Sequence, residues 1–153
     1  MEILIDVVAA APDDYAWCAE LMASSEPWIT LKRNVEACRE ALGRPGTELF
    51  LARRQESGVP EGFILLAPYG LAGSPYITSV ATAAEARGQG VGSQLLRFAE
   101  QHYHGRGHLF LLVSSFNRSA QELYRRHGYE QVGELRDYCV AGHSELILHK
   151  ALA

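Results

Sequence analysis

The stretch EARGQGVGSQ, residues 85–94, places three glycines at alternate positions directly before an amphipathic segment. Gly88, Gly90 and Gly92 allow backbone angles that other residues avoid. Successive backbone N–H groups that open a helix form a concave anion site, and the helix N-terminus adds partial positive charge. Arg87 places a further charge beside it. The pattern Arg-x-x-Gly-x-Gly therefore predicts a diphosphate-binding turn.

Two better-known phosphate loops do not match this stretch. A P-loop ends in Gly-Lys-Ser/Thr, whereas Gly92 and Ser93 are followed by Gln94. A dinucleotide fingerprint needs GxGxxG after a strand near the N-terminus, whereas the spacing here is GxGxG in the middle of the chain. On the glycines alone, an irregular turn with no ligand stays open as an alternative.

The composition restricts the class of protein. The chain has 153 residues, 48% hydrophobic and 21% charged, which fits one domain spanning residues 1–153. A net charge of −4 argues against a nucleic-acid surface. No stretch has the pattern of a membrane span or an export signal, so we expect no membrane partner and a cytoplasmic location. The cysteines Cys18, Cys38 and Cys139 form no CxxC pair, so we expect no metal site.

Apolar periodicity predicts the element order β-α-α-β-β-β-α-β-α-β-β. A first strand carries Ile3, Ile5 and Val7 on one face, and the second helix is expected to begin at a Thr30 cap. The run HLFLLV, residues 108–113, is typical of a strand buried on both faces. This order fits one α+β domain around a central mixed sheet.

The glycine turn is followed in register by further motifs. A strand and an Asn-led helix come next, with a tyrosine two turns along that helix and Gly-Tyr at its end. The chain thereby resembles the GNAT superfamily of N-acetyltransferases, most tightly over residues 77–129. The C-terminal segment, residues 135–152, is similar to the last hairpin of bacterial members, including the ribosomal-protein N-terminal acetyltransferases. The residues that match are Arg87, Gly90, Gly92, Asn117, Ala120, Tyr124, Gly128 and Tyr129.

The resemblance implies the GNAT fold, with a mostly antiparallel sheet of about seven strands and about four helices. It also implies transfer of an acetyl group from acetyl-CoA, the cosubstrate, to a primary amine. The positions that the family uses to bind the cosubstrate are Val80, Ala81 and Thr82 for the pantetheine arm, Arg87, Gly88, Gln89, Gly90, Val91, Gly92 and Ser93 for the diphosphate, and Asn117 and Tyr124.

Three of these residues have a second interpretation. Arg87 either directs its charge to the diphosphate or braces the turn. Asn117 either contacts the cosubstrate arm or only caps its helix. Tyr124 either protonates the departing thiolate, as the matching tyrosine does in the family, or only packs in the core. We expect the acid role for Tyr124, because a phenol with its ordinary pKa near ~10 is protonated at neutral pH.

The sequence assigns the acceptor-amine site only through the family segments, and it assigns no general base. The ribosomal-protein branch carries a glutamate five residues before the Asn, where this chain has Leu112. His143 has a suitable intrinsic pKa, but water relay is equally open, and no base is assigned. We expect a small-molecule amine, with a peptide or protein amine, or a non-catalytic acyl-CoA sensor, as alternatives; the protein is expected to be a monomer or homodimer. The family segments that wall the acceptor correspond here to Glu26, Trp28, Tyr69, Asp137 and Tyr138.

Overall fold

A computed structural model describes residues 2–153. Its helices and strands follow the predicted order, with one short 3₁₀ turn before the third helix. The bounds are β1 Ile5–Ala9, α1 Asp14–Ala23, α2 Val35–Leu42, β2 Glu48–Arg54, β3 Pro60–Leu71, β4 Ser74–Thr82, a 3₁₀ turn Ala84–Ala86, α3 Val91–His102, β5 His108–Ser114, α4 Arg118–Arg126, β6 Glu130–Arg136 and β7 Ser144–Ala151. No helix within residues 2–153 is long and apolar enough to cross a membrane.

The seven strands form one sheet in the order β1-β2-β3-β4-β5-β7-β6. All neighbours pair antiparallel except β4 and β5, which are parallel. The predicted α+β class and the mixed, mostly antiparallel sheet with four helices are therefore confirmed.

The two faces of the sheet carry separate cores. On one face, α3 and α4 pack Val91, Leu95 and Tyr124 against strand residues such as Ile64 and Leu111. On the other face, residues of α1 and α2 pack against Leu51, Phe63 and Leu65, among others. Alternation along β2 and β3 sends successive side chains to these two cores. The sheet therefore separates an α3/α4 face from an α1/α2 face.

The β4–β5 junction interrupts the regularity of the sheet. The register between β3 and β4 passes from Leu65↔Ser79 to Leu66↔Ile77, so Thr78 is a bulge. Strand β4 pairs with β5 only at Tyr76↔Phe110 and Ile77↔Leu111, although both strands continue beyond these pairs. The two strands therefore separate at their carboxyl ends.

Two expectations from the sequence need correction here. The second helix begins at Val35, with Asn34 as its cap, and not at Thr30. Thr30 instead donates its N–H and its hydroxyl to the Glu26 carboxylate, which holds a turn before the helix. Strand β5 is buried along its whole length only on the side of Leu109, Leu111 and Val113; on the other side His108 is exposed, Phe110 and Leu112 are half-buried, and Ser114 is buried.

Candidate active site

A cleft of about 350 Å³ opens where β4 and β5 separate. Its walls come from the segment between α1 and α2, the α2 helix, the bulged half of β4, the end of β5, the start of α4, and the loop between β6 and β7. The cleft reaches through the sheet, because residues of both faces line it. Tyr124 comes from the α3/α4 face, and Leu112 comes from the opposite face.

The glycine turn leads into α3 beside this cleft. Gly88 has φ +75° and Gly90 has φ +84°, angles that other L-residues rarely adopt. Within residues 2–153, the backbone N–H groups of residues 88–93 donate to no protein acceptor, and the first turn of α3 contains no acidic residue. These donors, added to the partial positive charge of the helix N-terminus, fit a bound diphosphate.

Gly92 has a different function from the other two glycines. A Cβ at Gly92 would lie 3.1 Å from Leu123 Cδ2, so its small size lets α3 and α4 approach each other. The neighbouring Ser93 hydroxyl lies 2.9 Å from His127 Nε2, a second link between the two helices. The turn is also fastened to the first strand, because Ile3 donates its N–H to the Gln89 carbonyl at 2.9 Å.

Arg87 braces the turn in this structure. Its Nε donates to the Thr82 carbonyl at 3.3 Å, and its Nη2 donates to the Ser25 hydroxyl at 3.2 Å. The guanidinium thus links the end of β4 to the segment after α1. Of the two interpretations of Arg87, the bracing contacts are the ones observed.

The three β4 positions assigned to the pantetheine arm differ in their surroundings. Val80 lines the cleft, whereas Ala81 is buried in the α1/α2-side core and Thr82 accepts the bond from Arg87. Ala81 and Thr82 also pair with Phe63 and Gly62 of β3. Since β4 has no partner on its β5 side beyond Ile77, that side of the strand faces the opening.

Asn117 caps α4 and also lines the cleft. Its Oδ1 accepts from the Ala120 N–H at 3.4 Å, which is the capping bond. Its Nδ2 donates to no described residue, so the amide keeps a donor for a ligand. The capping role is observed, and it leaves the second role chemically available.

Tyr124 projects from α4 into the base of the cleft. Its ring packs edge-on against Tyr129, with 6.1 Å between centroids, and the residue is 7% exposed. Burial, with the nearby Tyr76 phenol, raises the pKa of Tyr124 well above its ordinary value. Its hydroxyl lines the cleft without a hydrogen bond to any residue in 2–153. Tyr124 is thus a protonated, available donor at neutral pH.

Only some of the residues predicted to wall the acceptor site line the cleft. Glu26, Trp28 and Tyr138 line the cleft. Tyr69 lies outside the lining, where its ring stacks with the Arg106 guanidinium at 4.8 Å. Asp137 also lies outside it, accepting the Gly142 N–H at 2.6 Å within the β6–β7 loop. His143 packs edge-on against Phe116 and is likewise not part of the lining.

One buried carboxylate of the cleft was not predicted. Glu145, near the start of β7, is 8% exposed and accepts a 2.7 Å hydrogen bond from the Ser114 hydroxyl. Burial raises the pKa of Glu145, and the Ser114 hydrogen bond partly opposes this. Strand alternation separates Glu145 from the core residues Leu146 and Leu148. This alternation can be read from the sequence. Only the strand order in the sheet shows that the face carrying Glu145 borders a cleft.

Comparison with known proteins identifies the family. A sequence model of the Acetyltransferase (GNAT) family matches residues 11–129, more than half of the chain. A comparison with curated protein sequences finds no significant match.

Several solved structures share the fold. A protein assigned to the GNAT family from Desulfovibrio desulfuricans superposes with a TM-score of 0.79 at 17% identity, covering 98% of this chain and 100% of that one. An aminoglycoside 6'-N-acetyltransferase complexed with coenzyme A has a TM-score of 0.77 at 15% identity, with 97% of each chain covered. Nourseothricin acetyltransferase is 28% identical over 71% of this chain and 67% of that one, with a TM-score of 0.63. The chain therefore belongs to the GNAT family of acetyltransferases, which use acetyl-CoA as the acetyl donor.

Proposed function

We propose that the protein transfers the acetyl group of acetyl-CoA to a primary amine of a small molecule, with Tyr124 as the general acid. The observation that carries this proposal is the Tyr124 hydroxyl, which lines the cleft, has no hydrogen-bond partner within residues 2–153, and stays protonated because of burial. A group that only completed the core would have its hydroxyl satisfied by a neighbour, as Tyr129 does with Glu100 at 3.0 Å.

The residues that would hold acetyl-CoA come from the glycine turn, the end of β4 and the start of α4. The unpaired N–H groups of residues 88–93 would receive the diphosphate, and the open side of β4 near Val80 would lie along the pantetheine arm. The Asn117 Nδ2 would donate to the same arm. Acetyl-CoA supplies the activated acetyl thioester, which ends near Tyr124 in this arrangement.

The proposed reaction is direct attack. The amine nitrogen forms the new C–N bond, the C–S bond breaks, and its electron pair goes to sulfur. Tyr124 gives its proton to that sulfur, and the proton that the nitrogen loses on becoming an amide restores the phenol. A positioned general acid contributes about 10²- to 10⁴-fold to such a step.

Three observations support a small cationic amine as the acceptor rather than a protein. One similar solved structure, 28% identical to this chain, is nourseothricin acetyltransferase. Leu112 lines the cleft where the ribosomal-protein branch carries its glutamate. Glu26, Trp28 and Tyr138 bring a carboxylate and two aromatic rings to the mouth, a combination that suits a cationic amine.

The alternatives are separated by one assay. Protein and acetyl-CoA are mixed with kanamycin, spermidine, L-lysine or a peptide with a free α-amine, and free thiol is followed while calorimetry measures acetyl-CoA binding. Thiol release with a non-peptide amine supports the proposal, and release with the peptide alone favours a peptide acceptor. Binding without release on any amine would favour the acyl-CoA sensor.

Replacing Tyr124 by Phe tests the acid role. The change removes one hydroxyl and little volume, so melting temperature and acetyl-CoA affinity should hold while turnover falls by about 10- to 10⁴-fold. Tyr129→Phe is the matched control. It removes a neighbouring phenol that bonds to Glu100, so it should lower stability by about 1–3 kcal/mol and leave turnover close to normal.

The contradicting result is a normal kcat for Tyr124→Phe at saturating acetyl-CoA. Slow product release can mask a loss in the chemical step, so the comparison is made under single-turnover conditions.

A further inference from the structure

Glu145 lies on the side of β7 that faces away from the α3/α4 core. Cross-strand pairing sets it opposite Ser114 and sets its neighbour Ile147 opposite Leu112. Leu112 and Glu145 are thus diagonal neighbours on one sheet face, a relation that places side chains within reach of a common ligand. A carboxylate is therefore present one strand away from the position where Leu112 stands.

In the described part of the chain, no cation pairs directly with Glu145, although the Arg33 guanidinium lines the same cleft and acts electrostatically on Cys139, which Glu145 also influences. The groups that face it are Tyr76 of β4, Ser114 of β5, and Tyr138 and Cys139 of the β6–β7 loop. Among residues 2–153, no Lys, Arg or His side chain forms an ion pair with its carboxylate. A buried carboxylate without a cation is unfavourable, so the arrangement suits a positively charged ligand group.

Glu145 and Tyr124 border the same opening from opposite faces of the sheet. Tyr76 connects them, because its phenol is close enough to influence the titration of Tyr124 and is itself influenced by Glu145. The two groups have opposite chemistry at neutral pH, since one is a proton donor and the other a proton acceptor. A phenol and a carboxyl group at one opening supply the two kinds of group that general acid–base catalysis uses.

We propose that Glu145 is the general base of this acetyltransferase, binding the ammonium form of the acceptor amine and taking its proton. The inference rests on the proposed amine acetylation. One N–H proton of the ammonium passes to the Glu145 carboxylate, which frees the nitrogen lone pair for attack on the acetyl carbon. Glu145 then releases that proton to solvent, and Tyr124 serves the sulfur as described above. The acceptor class is thus a primary alkylammonium rather than a neutral amide or alcohol.

Glu145→Gln tests the inference, because glutamine keeps the shape and a partner for Ser114 but has no charge. With the panel amine turned over fastest by the wild type, kcat/KM should fall by about 10²- to 10⁴-fold near neutral pH. The loss should shrink as pH approaches the amine's own pKa, about 10.4 for an alkylamine, because free amine then needs no base. Melting temperature and acetyl-CoA affinity should change little.

Glu134→Gln is the matched control. Glu134 belongs to the same hairpin and also accepts a serine hydroxyl, from Ser144, but it does not line the cleft. Its replacement should leave kcat/KM unchanged at every pH. A Glu145→Gln loss that is constant from neutral to alkaline pH would show a structural role and overturn the inference.

Ser114→Ala provides a second variant that remains informative if Glu145→Gln does not fold. Removing the hydrogen bond that lowers the Glu145 pKa should shift the rising limb of kcat/KM to higher pH. If the rising limb of kcat/KM lies at the same pH in Ser114→Ala as in the wild type, the inference is overturned. Wild-type protein that binds acetyl-CoA but acetylates no amine would overturn the proposed function and this inference together, whereas an active, pH-independent Glu145→Gln variant overturns this inference alone.

Discussion

The two ends of the cleft are built from different parts of the polypeptide. The proposed donor end comprises the turn 88–93, which lies outside the cleft lining, and Asn117, which is part of it; its ligand-binding groups would be mainly backbone N–H donors from one continuous stretch. The proposed acceptor end comprises Glu26, Trp28, Tyr138 and Glu145, side chains from three separated segments; Arg33 and Arg44 also line the cleft. One end offers positive potential for a diphosphate, and the other offers carboxylates and aromatic rings for a cation.

This difference has an experimental consequence. A site made of backbone groups is damaged by changes in backbone conformation, and it tolerates many changes of side-chain chemistry. A site made of side chains responds to substitution of single functional groups. Variants at the donor end should therefore alter acetyl-CoA affinity, and variants at the acceptor end should alter kinetics toward the amine.

The largest effect is expected for Gly90→Val at the donor end. Acetyl-CoA at a hundredfold excess over Kd should stabilise the wild type by about 2.7 kcal/mol. Valine at φ +84° disfavours the turn geometry that presents the N–H groups, so most of this stabilisation should disappear. Melting scans with and without acetyl-CoA, together with calorimetry, measure the effect.

Gly105→Val controls for backbone strain alone. Gly105 has φ +87°, a Cβ there would meet no atom within 4 Å, and the residue lies in the loop between α3 and β5. This variant should lose intrinsic stability but retain the stabilisation by acetyl-CoA. Unchanged affinity in a folded Gly90→Val protein would remove the glycine turn from the donor end.

An intermediate effect is expected for Asn117→Ala, compared with Asn34→Ala. Both residues cap a helix, Asn34 with a 2.8 Å bond to the Ala37 N–H and Asn117 with a 3.4 Å bond to the Ala120 N–H. Each alanine should lower unfolding free energy by about 1 kcal/mol. Only Asn117→Ala should also weaken acetyl-CoA binding, by about fivefold, the worth of one hydrogen bond. Equal affinities in both variants would restrict Asn117 to capping.

The smallest effect is expected for Tyr138→Ala, compared with Tyr69→Ala. Both rings are exposed, but only Tyr138 lines the cleft. Tyr138→Ala should raise KM for the amine about two- to fivefold, the range of an exposed cation–π contact, with acetyl-CoA affinity unchanged. Tyr69→Ala should change neither quantity. A rise in KM for Tyr69→Ala alone would reverse the assignment of the acceptor wall.

The residues of the proposed donor end show how much short sequence motifs can predict. Glycines, an amphipathic helix and an Asn cap are signals within a few residues; the structure forms the predicted turn before α3 and places Asn117 in the cleft lining. Arg87 shows the limit of such a pattern. Its position was readable, but its contacts with Ser25 and Thr82 depend on how the segment after α1 packs against β4. The predicted start of the second helix at Thr30 was wrong for a similar reason, because Thr30 donates its N–H and its hydroxyl to the Glu26 carboxylate instead of capping a helix.

The amino-acid sequence by itself determined the order of elements, the α+β class and the family resemblance, because each depends on periodicity or spacing along the chain; the anion-binding character of the turn remains a prediction from the same spacing. The tertiary structure decided which side chains share the acceptor end. Bringing Glu145 into the cleft requires the β5-β7-β6 strand order and the separation of β4 from β5 after two paired residues. Tyr69 and Asp137 lie outside the cleft lining, because nearness along the chain does not specify which edge of the sheet a loop covers.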